Sequence, residues 1–340
     1  MSKSGCSLIM QQRSVTKRRI RKVGDSLVAG SLSEVERREA LELVGYWRAA
    51  HIEPLQRTLL EIEKLCGKGS STILVSRLKR IDTIVNKLGR ENSSANYNLT
   101  TLRDVAGCRL IVDNLDQVLL YADLISQTDM FHKSIDHMKK PKGSGYRGFH
   151  IICRHDAAPQ YGFKNMNVEV QIRSRLQHYW ATAVETYDQI EETRLKFDQG
   201  SDLEKRYFCL ASEVMNNDVS NDSEEIKELR YLDSRLHVLE RLAAAVNSMY
   251  VICKREIDRS STCLLKVDLS MQQIVIDVYP SGEEVIAAEK YTELETGKEE
   301  LDIIYLLARA DSLSDLSFAY SNYSSHISKF VEWLGKKINA

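Results

Sequence analysis

The stretch VEVQIRSRLQHYW at residues 168–180 changes from one structural period to another within a few residues. Val168, Val170 and Ile172 alternate with polar side chains, which is typical of a strand that buries one face. From Ser174 onward the apolar positions follow helical spacing. A strand that leads directly into a helix indicates a fold that combines both kinds of element.

The rest of the chain alternates in the same way. Before residue 168 we predict helices over 33–65, 71–88 and 115–126, strands over 108–112 and 149–154, and a glycine- and lysine-rich loop over 139–148. After a helical stretch over 174–215, polar turn formers cluster at 216–223. Beyond them we predict one long helix over 224–259, strands over 264–269, 273–279 and 303–307, and helices over 283–294 and 312–338.

These elements predict an α/β (α+β) protein with an N-terminal helical segment and a domain boundary at 216–223. We expect a basic N-terminal tail at 1–32, a main domain at 33–215 and a smaller C-terminal α/β domain at 224–340. Seven Lys and Arg residues precede Asp25, the first acid. This pattern fits either a solvated tail or a contact to RNA phosphates.

Composition excludes several classes of protein. The chain has 340 residues and a formal net charge of −1, so its overall charge does not favour binding to nucleic acid or to a membrane surface. Its seven cysteines include no CxxC pair, which argues against a disulfide framework and a zinc site. We find no secretory signal, and the least polar stretch, 242–253, is too short to span a bilayer. We therefore expect a cytoplasmic protein.

Basic residues of the predicted helix 71–88 are candidates for binding phosphate. At helical spacing the apolar residues form one stripe, and Arg77, Lys79 and Lys87 lie on the opposite side. Three cations in a cleft could neutralise a triphosphate, although a solvated basic face fits the same pattern.

Two further segments carry candidate site residues. Asp104 precedes a predicted strand, a position where a carboxylate can bind Mg²⁺ or simply cap a turn. In the loop KKPKGSGYRGFH at 139–150, Lys142 supplies charge, Tyr146 is placed to stack on a base, and His150 begins a strand. A charged surface loop is the alternative.

The quoted stretch 168–180 carries the last candidates. Strand alternation puts Glu169, Gln171 and Arg173 on one face, opposite the apolar face of Val168, Val170 and Ile172. The following helix brings His178. An acid, an amide and a cation in register could serve a nucleotide, although the polar face of an edge strand looks the same.

Together and in this order, RLKRIDTIVNK, RDVAGCR, PKGSGYRGFH and VEVQIRSRLQH resemble the synthetase motifs of the RelA/SpoT family of alarmone synthetases. The resemblance covers about residues 70–190. It implies a nucleotidyltransferase-like mixed sheet flanked by helices. It also implies a Mg²⁺-dependent transfer of pyrophosphate from ATP to the 3′-hydroxyl of GDP or GTP, which makes (p)ppGpp in the stringent response.

The resemblance also implies roles for individual residues. Asp104 and Glu169 would hold Mg²⁺, and Glu169 is also a candidate for assisting the acceptor hydroxyl. Tyr146 would stack on the acceptor base. The remaining residues would bind ATP (Arg77, Lys79, Lys87 and Arg109) or contact the acceptor and its phosphates (Lys142, His150, Gln171, Arg173 and His178).

Departures from the family pattern leave the acceptor open. Ser144 stands where many members have asparagine, and Arg147–Gly148 replaces a common glutamine–serine. Some small members are toxins that modify the 3′ end of tRNA or act in phage defence, and a C-terminal domain could restrain such an enzyme. A nucleotide-binding regulator without activity is a third reading, which the two metal carboxylates disfavour.

Other properties also stay open. We expect no hydrolase domain, because too few residues precede the first motif. Small members often form homo-oligomers, but the sequence carries no signature of assembly. The aromatic stretch 320–334 fits either core packing or a docking surface, for a partner or for the active site.

Overall fold

In the computed structural model, the described residues are 15–67, 71–91, 97–195, 199–217, 219–245, 250–297, 302–320 and 327–339. Among them, nine strands form a single sheet. The strands are β1 (Ile73–Leu78), β2 (Ala106–Val112), β3 (Phe131–Asp136), β4 (Phe149–His155), β5 (Met166–Ser174), β6 (Tyr250–Cys253), β7 (Thr262–Asp268), β8 (Gln273–Tyr279) and β9 (Ile303–Arg309). Their order across the sheet is β3-β4-β5-β2-β1-β9-β7-β8-β6.

Helices flank this sheet. They are α1 (Lys17–Ala29), α2 (Glu34–Ala49), α3 (Ile52–Cys66), α4 (Ile81–Glu91), α5 (Leu115–Ser126), α6 (Arg175–Ile190), α7 (Asp202–Asn216), α8 (Glu224–Leu236), α9 (Val238–Ala244), α10 (Glu284–Thr296), α11 (Leu313–Ala319) and α12 (Ile327–Asn339). The predicted class, a mixed sheet flanked by helices, is confirmed. None of the described helices is both long and apolar enough to cross a membrane.

The sheet is mixed, and it contains strands from both the N-terminal and the C-terminal parts of the chain. β2 and β5 run parallel, whereas β1 pairs antiparallel with both β2 and β9. In the β1–β9 pair, Arg77 lies opposite Ala308. Strands from both sides of the predicted boundary at 216–223 therefore share one sheet, while the functional division of the chain into domains stays a prediction.

The two faces of the sheet differ in polarity. On one face, Leu110, Val170 and Ile172 are fully buried in a core to which α3, α5 and α10 contribute. On the other face, the β1, β9 and β7 strands bury Val75, Ala308 and other apolar side chains beneath α11. The β4, β5 and β2 part of that second face carries polar side chains, and the candidate site lies there.

The predicted helix over 71–88 is wrong in its first half. Residues 73–78 form β1, and a helix begins only at Ile81. The segment contains the β-branched residues Ile73 and Val75, and strands pair with both of its edges. Both of its faces are packed, because Ile73 and Val75 contribute to one core and Leu78 to the other. An apolar run of this kind fits helical and extended spacing equally well.

Five other predicted segments also differ from the structure. The helix over 33–65 is divided into α2 and α3, and the helical stretch over 174–215 is divided into α6 and α7. The single helix over 224–259 is interrupted at His237, whose φ of 53° is left-handed, and residues 250–253 of the same segment form β6. The helix over 312–338 is divided into α11 and α12, with residues 321–326 outside the described part. Within the predicted basic tail, α1 is capped by the Thr16 hydroxyl and buries Ile20 and Leu27, so this part packs against the fold.

Candidate functional site

Three neighbouring strands place a row of residues at the floor of a cavity. Arg77 of β1 pairs with Gly107 of β2, and Gly107 pairs with Glu169 of β5. A Cβ atom at Gly107 would lie 2.9 Å from the Glu169 carbonyl oxygen, so glycine permits the close approach. The cavity holds about 460 Å³, part of it open to solvent. Its lining residues are Val75, Ser76, Arg77, Lys79, Asp104, Gly107, Cys108, Arg109, Glu169, Gln171 and Tyr320.

Asp104 binds two ammonium groups at one end of this cavity. Its Oδ2 accepts from Lys79 Nζ at 2.6 Å and from Lys87 Nζ at 3.0 Å. Lys79 follows β1, Lys87 lies on α4, and Asp104 lies in the turn before β2. Burial opposes ionisation, but the two lysines hold the pKa of the Asp104 carboxyl below its ordinary value. The structure thus brings three predicted residues together, although no single helix carries both lysines.

The second oxygen of Asp104 bears on the predicted magnesium site. Asp104 Oδ1 is buried and has no hydrogen-bond partner within the described part of the chain. Glu169 lines the same cavity, and its carboxylate oxygens retain lone pairs beyond the contacts they make. The described residues contain no group of three or more His, Cys, Asp or Glu side chains that could hold a metal. Two carboxylates fit Mg²⁺ only if phosphate oxygens complete its coordination.

Glu169 begins a chain of polar contacts at the other end of the cavity. Its Oε1 lies 3.2 Å from His150 Nδ1, and His150 Nε2 lies 2.6 Å from the Tyr146 hydroxyl. Burial disfavours the imidazolium, but Tyr146 and Glu169 raise the pKa of His150 to about 9. Burial also disfavours the carboxylate, but His150 holds the pKa of Glu169 far below its ordinary value. His150 is therefore a cation beside an ionised Glu169 at neutral pH.

Gln171 and Arg173 close this chain into a ring. Gln171 Nε2 donates to Glu169 Oε2 at 2.7 Å, and Arg173 Nη2 donates to Gln171 Oε1 at 2.9 Å. Arg173 Nε then donates to the Tyr146 hydroxyl at 3.1 Å. The predicted alternation of β5 is confirmed, because these polar residues share the face opposite the buried Val168, Val170 and Ile172.

The ring of Tyr146 lies among cations and aromatic rings. The Arg173 guanidinium and the Lys142 ammonium each lie 5.0 Å from its centroid. His137 and Trp180 lie 5.6 and 6.4 Å away. Burial would raise the pKa of Tyr146, but Arg173 and His150 lower it to about 7. Lys142 is exposed at the rim of this group, as its loop position predicts.

Helix α7 anchors the loop that carries Tyr146. Ser212, buried on α7, donates its hydroxyl hydrogen to the Gly145 carbonyl at 2.6 Å. Gly145 has a φ of 87°, and a Cβ atom there would lie 2.9 Å from Cys209 Cα. Sequence reasoning did not identify Ser212, which carries no motif and lies far along the chain.

Arg109 and Tyr320 bring the C-terminal segment to the cavity. Arg109 Nη1 donates to the Ala319 carbonyl, at the end of α11, at 3.0 Å. Tyr320 is buried, lines the cavity and donates its hydroxyl hydrogen to the Ser76 carbonyl at 3.2 Å. The aromatic content of 320–334 was the signal for this contact. Residues 321–326 of that stretch lie outside the described residues, and Phe330 and Leu334 are buried core residues.

His178 is set apart from the other predicted residues. Its Nε2 lies 2.9 Å from the Phe318 carbonyl oxygen, and its ring stacks on Phe318 at 5.1 Å. Burial holds the pKa of His178 well below its ordinary value. The structure therefore places His178 under α11 rather than in the cavity lining.

Comparison with known proteins identifies the part of the chain that carries the site. Residues 76–189 match the family model RelA_SpoT, described as "Region found in RelA / SpoT proteins". GTP pyrophosphokinase YjbM of Bacillus subtilis (strain 168) is 27% identical over 128 residues, which are 37% of this chain and 59% of that protein. An uncharacterized protein of Mycobacterium tuberculosis is 28% identical over 140 residues, which are 41% of this chain and 47% of that protein.

Solved structures also resemble the chain in part. Small alarmone synthetase 1 from Bacillus subtilis, bound to its product pppGpp, is 24% identical with a TM-score of 0.41. That match covers 54% of this chain and 93% of the other. A GTP pyrophosphokinase family protein from Streptococcus pneumoniae is 21% identical with a TM-score of 0.40, over 61% of this chain and 98% of the other. The matched sequence segments span about half the length of the curated relatives. The predicted relationship is thus confirmed for residues 76–189, and the chain carries the region found in RelA/SpoT proteins.

Proposed function

We propose that the chain is a pyrophosphokinase that transfers the β,γ-pyrophosphate of ATP to the 3′-hydroxyl of GDP or GTP and so makes (p)ppGpp. The observation that carries this proposal is the cavity that Asp104 and Glu169 both line within the RelA/SpoT region, with Lys79 and Lys87 bound to Asp104. The curated relative YjbM, named a GTP pyrophosphokinase, supports the same reaction class.

The cation end suits the triphosphate of ATP. Here Lys79 and Asp104 line the cavity, and Lys87 donates to the same Asp104 oxygen as Lys79. Both ammonium groups are now held by Asp104 and could turn to phosphate oxygens without leaving the cavity. Arg77 lines the same cavity and adds a third cation. Arg109 would join them only if its guanidinium exchanged the Ala319 carbonyl for a phosphate.

Asp104 and Glu169 would hold Mg²⁺ together with the phosphates of ATP. When bound, the ion would screen the charge that develops on the transferred group. Asp104 suits this role because its Oδ1 is buried and unpartnered among the described residues. Phosphoryl-type transfer depends on positioning and charge neutralisation, which these residues supply.

The aromatic end suits the acceptor. Here Glu169 and Gln171 line the cavity and are hydrogen-bonded to His150 and Arg173, which both contact the Tyr146 hydroxyl. The acceptor 3′-oxygen forms a bond to the β-phosphorus, the bond from that phosphorus to the α,β-bridging oxygen breaks, and AMP leaves. Glu169 is an ionised carboxylate and is our candidate to take the hydroxyl proton. Its lowered pKa makes it a weak base, so we expect the proton to move only as the new bond forms. We propose that Lys142 and Tyr146 contact the acceptor and that His178 supports the site from beneath α11.

One assay tests this function. Purified protein is incubated with Mg²⁺ and ATP labelled at the γ-phosphate, with GDP, GTP or bulk tRNA in separate tubes. Label in a guanosine tetra- or pentaphosphate supports the proposal. Label in none of the three acceptors, from protein that binds Mg–ATP, contradicts it.

A second candidate function shares the chemistry but uses the 3′ end of tRNA as acceptor, with the C-terminal segment as a restraint. The contacts of Arg109 with Ala319 and of Tyr320 with Ser76 favour it, because they place that segment in the wall of the ATP side. Such an enzyme would serve as a toxin or in phage defence. Label appearing only in the tRNA tube would support this candidate over the first.

A further inference from the structure

A buried ionic network lies behind the turn that carries Lys79. Arg48, on α2, is fully buried, and its Nη1 donates to a carboxylate oxygen of Glu295, on α10. Its Nη2 donates to Thr292 Oγ1 at 2.7 Å, and its guanidinium lies 4.1 Å from the centroid of the Tyr291 ring. A charged pair at this depth contributes weakly to stability compared with apolar packing, so it calls for another explanation.

The network holds both ends of the turn between β1 and α4. Arg48 Nη1 also donates to the Lys79 carbonyl at 3.2 Å. Glu295 Oε1 accepts from the Ile81 backbone N–H at 3.2 Å. The Ile81 amide belongs to the first turn of α4, where backbone donors lack partners inside the helix. A carboxylate there satisfies a donor and is favoured by the helix dipole.

The two helices that supply this network are in close contact. A Cβ atom at Gly45 of α2 would lie 2.4 Å from Thr292 Cγ2 of α10, so only glycine fits this face. Helix α2 precedes the RelA/SpoT region, which ends at residue 189, and α10 begins after it at Glu284. The turn that carries Lys79 is thus clamped by two elements that lie outside that region.

We infer that Arg48 and Glu295 are positioning residues that hold the turn at 79–81 and thereby aim Lys79 and Lys87 at the nucleotide phosphates. The functional consequence rests on the proposed function, whereas the clamp itself does not. Fixing the turn fixes the backbone of Lys79 and the start of the helix that carries Lys87. A small displacement of either would separate two cations that must meet the same phosphates.

The test compares Glu295→Ala and Glu295→Gln with Glu293→Gln, an exposed matched control on the same helix. Amide hydrogen exchange is measured for peptides over 78–84 and, as an internal reference, 166–174. Calorimetry gives the Kd for Mg–ATP, and steady-state assays give KM for ATP and for the acceptor. Thermal melting confirms that each variant is folded.

We expect Glu295→Ala to speed exchange at 78–84 alone and to weaken Mg–ATP binding about tenfold, with the acceptor KM changed less than about twofold. Glu295→Gln keeps an oxygen that can accept from Ile81 and should show a smaller effect on both quantities. Glu293→Gln should match the wild type. Loss of the clamp would thus weaken the binding of Mg–ATP and leave the KM for the acceptor nearly unchanged.

Other results overturn the inference. A folded Glu295→Ala protein with wild-type exchange at 78–84 would contradict the clamp. An equal weakening of ATP and acceptor binding would contradict the inference that the clamp serves only the ATP side. If Glu295→Ala does not fold, the same readings are taken on Glu295→Gln and Arg48→Lys, and wild-type values in both reject the inference. If the wild-type protein binds no Mg–ATP, the proposed function is contradicted instead. The exchange data at 78–84 would still show whether Glu295 holds the turn.

Discussion

The two ends of the cavity are built on different principles. At the cation end, Lys79, Lys87 and Asp104 come from two turns and a helix, and a clamp from outside holds the turn. At the aromatic end, His150 and Glu169 come from the adjacent strands β4 and β5, with backbones fixed by the sheet. One end is a set of ion pairs that a ligand can exchange, and the other is a closed ring of hydrogen bonds.

This difference indicates how each end would meet its substrate. Phosphates would compete with Asp104 for the lysines, so ATP binding at the cation end would replace existing contacts. The ring at the aromatic end fixes Glu169 as a carboxylate before an acceptor arrives. Preorganised groups of this kind lower the cost of reorganisation during the reaction.

The largest expected effect is the loss of either carboxylate. Asp104→Asn and Glu169→Gln keep the size of the side chain and remove its charge, and we expect each to lower turnover by about a thousandfold or more. Glu169→Gln also replaces one of the two oxygens that accept from His150 and Gln171 with an amide donor. Single-turnover assays with labelled ATP measure this, and circular dichroism checks the fold. Asp113→Asn, at an exposed ion pair with Arg175, is the control and should stay near wild type. Full activity in both carboxylate variants would contradict the metal assignment.

A smaller and one-sided effect should follow removal of the Tyr146 ring. Stacking of a base on an aromatic ring contributes about 1–3 kcal/mol, so Tyr146→Ala should raise the acceptor KM about five- to a hundredfold while the ATP KM changes little. Tyr146→Phe keeps the ring and loses only the hydroxyl contacts with His150 and Arg173, so its effect should be less. An equal rise in the KM for ATP and for the acceptor would contradict stacking on the acceptor base. It would also contradict the assignment of the two ends to different substrates.

The ring of hydrogen bonds at the aromatic end predicts a pH dependence. The raised pKa of His150, about 9, means that the imidazolium persists through neutral pH and is lost as pH rises through about 9. We expect kcat/KM to fall across that range and this alkaline limb to disappear in His150→Gln, which has lower activity throughout. Nuclear magnetic resonance titration of the His150 ring measures the same group directly. A midpoint near the ordinary value of about 6.5 would contradict the ring as described.

Much of the aromatic end could be predicted from sequence, because it depends on local periodicity. The alternation of 168–174 has a period of two and one buried face, and this fixes which side Glu169, Gln171 and Arg173 share. The cation end could not be predicted in the same way. The apolar spacing of its strand β1 fits a helix as well as a strand. The pairing with β2 and with the distant β9 makes this segment a strand, and no local pattern predicts that pairing.

The other features of the site that the sequence did not predict are contacts between residues far apart in the chain. Arg48 and Glu295 are 247 positions apart, and Tyr320 and Ser76 are 244 apart. Neither pair has a motif, since each depends on how β9 joins β1 and carries α10 and α11 with it. A buried arginine and a buried glutamate look like surface residues in a linear sequence, because nothing local marks their burial.

The smallest expected effect lies at the rim of the aromatic end. The exposed Lys142 ammonium lies 5.0 Å from the Tyr146 centroid, a cation–π contact of about 0.5–1 kcal/mol at such a site. Lys142→Ala should therefore raise the acceptor KM about two- to fivefold and leave the ATP KM unchanged, as steady-state assays at low salt would show. Lys140→Ala, an exposed lysine in the same loop, is the matched control and should have no effect. If Lys142→Ala raised the ATP KM instead, the loop would serve both substrates, and the division of the cavity into two ends would not hold.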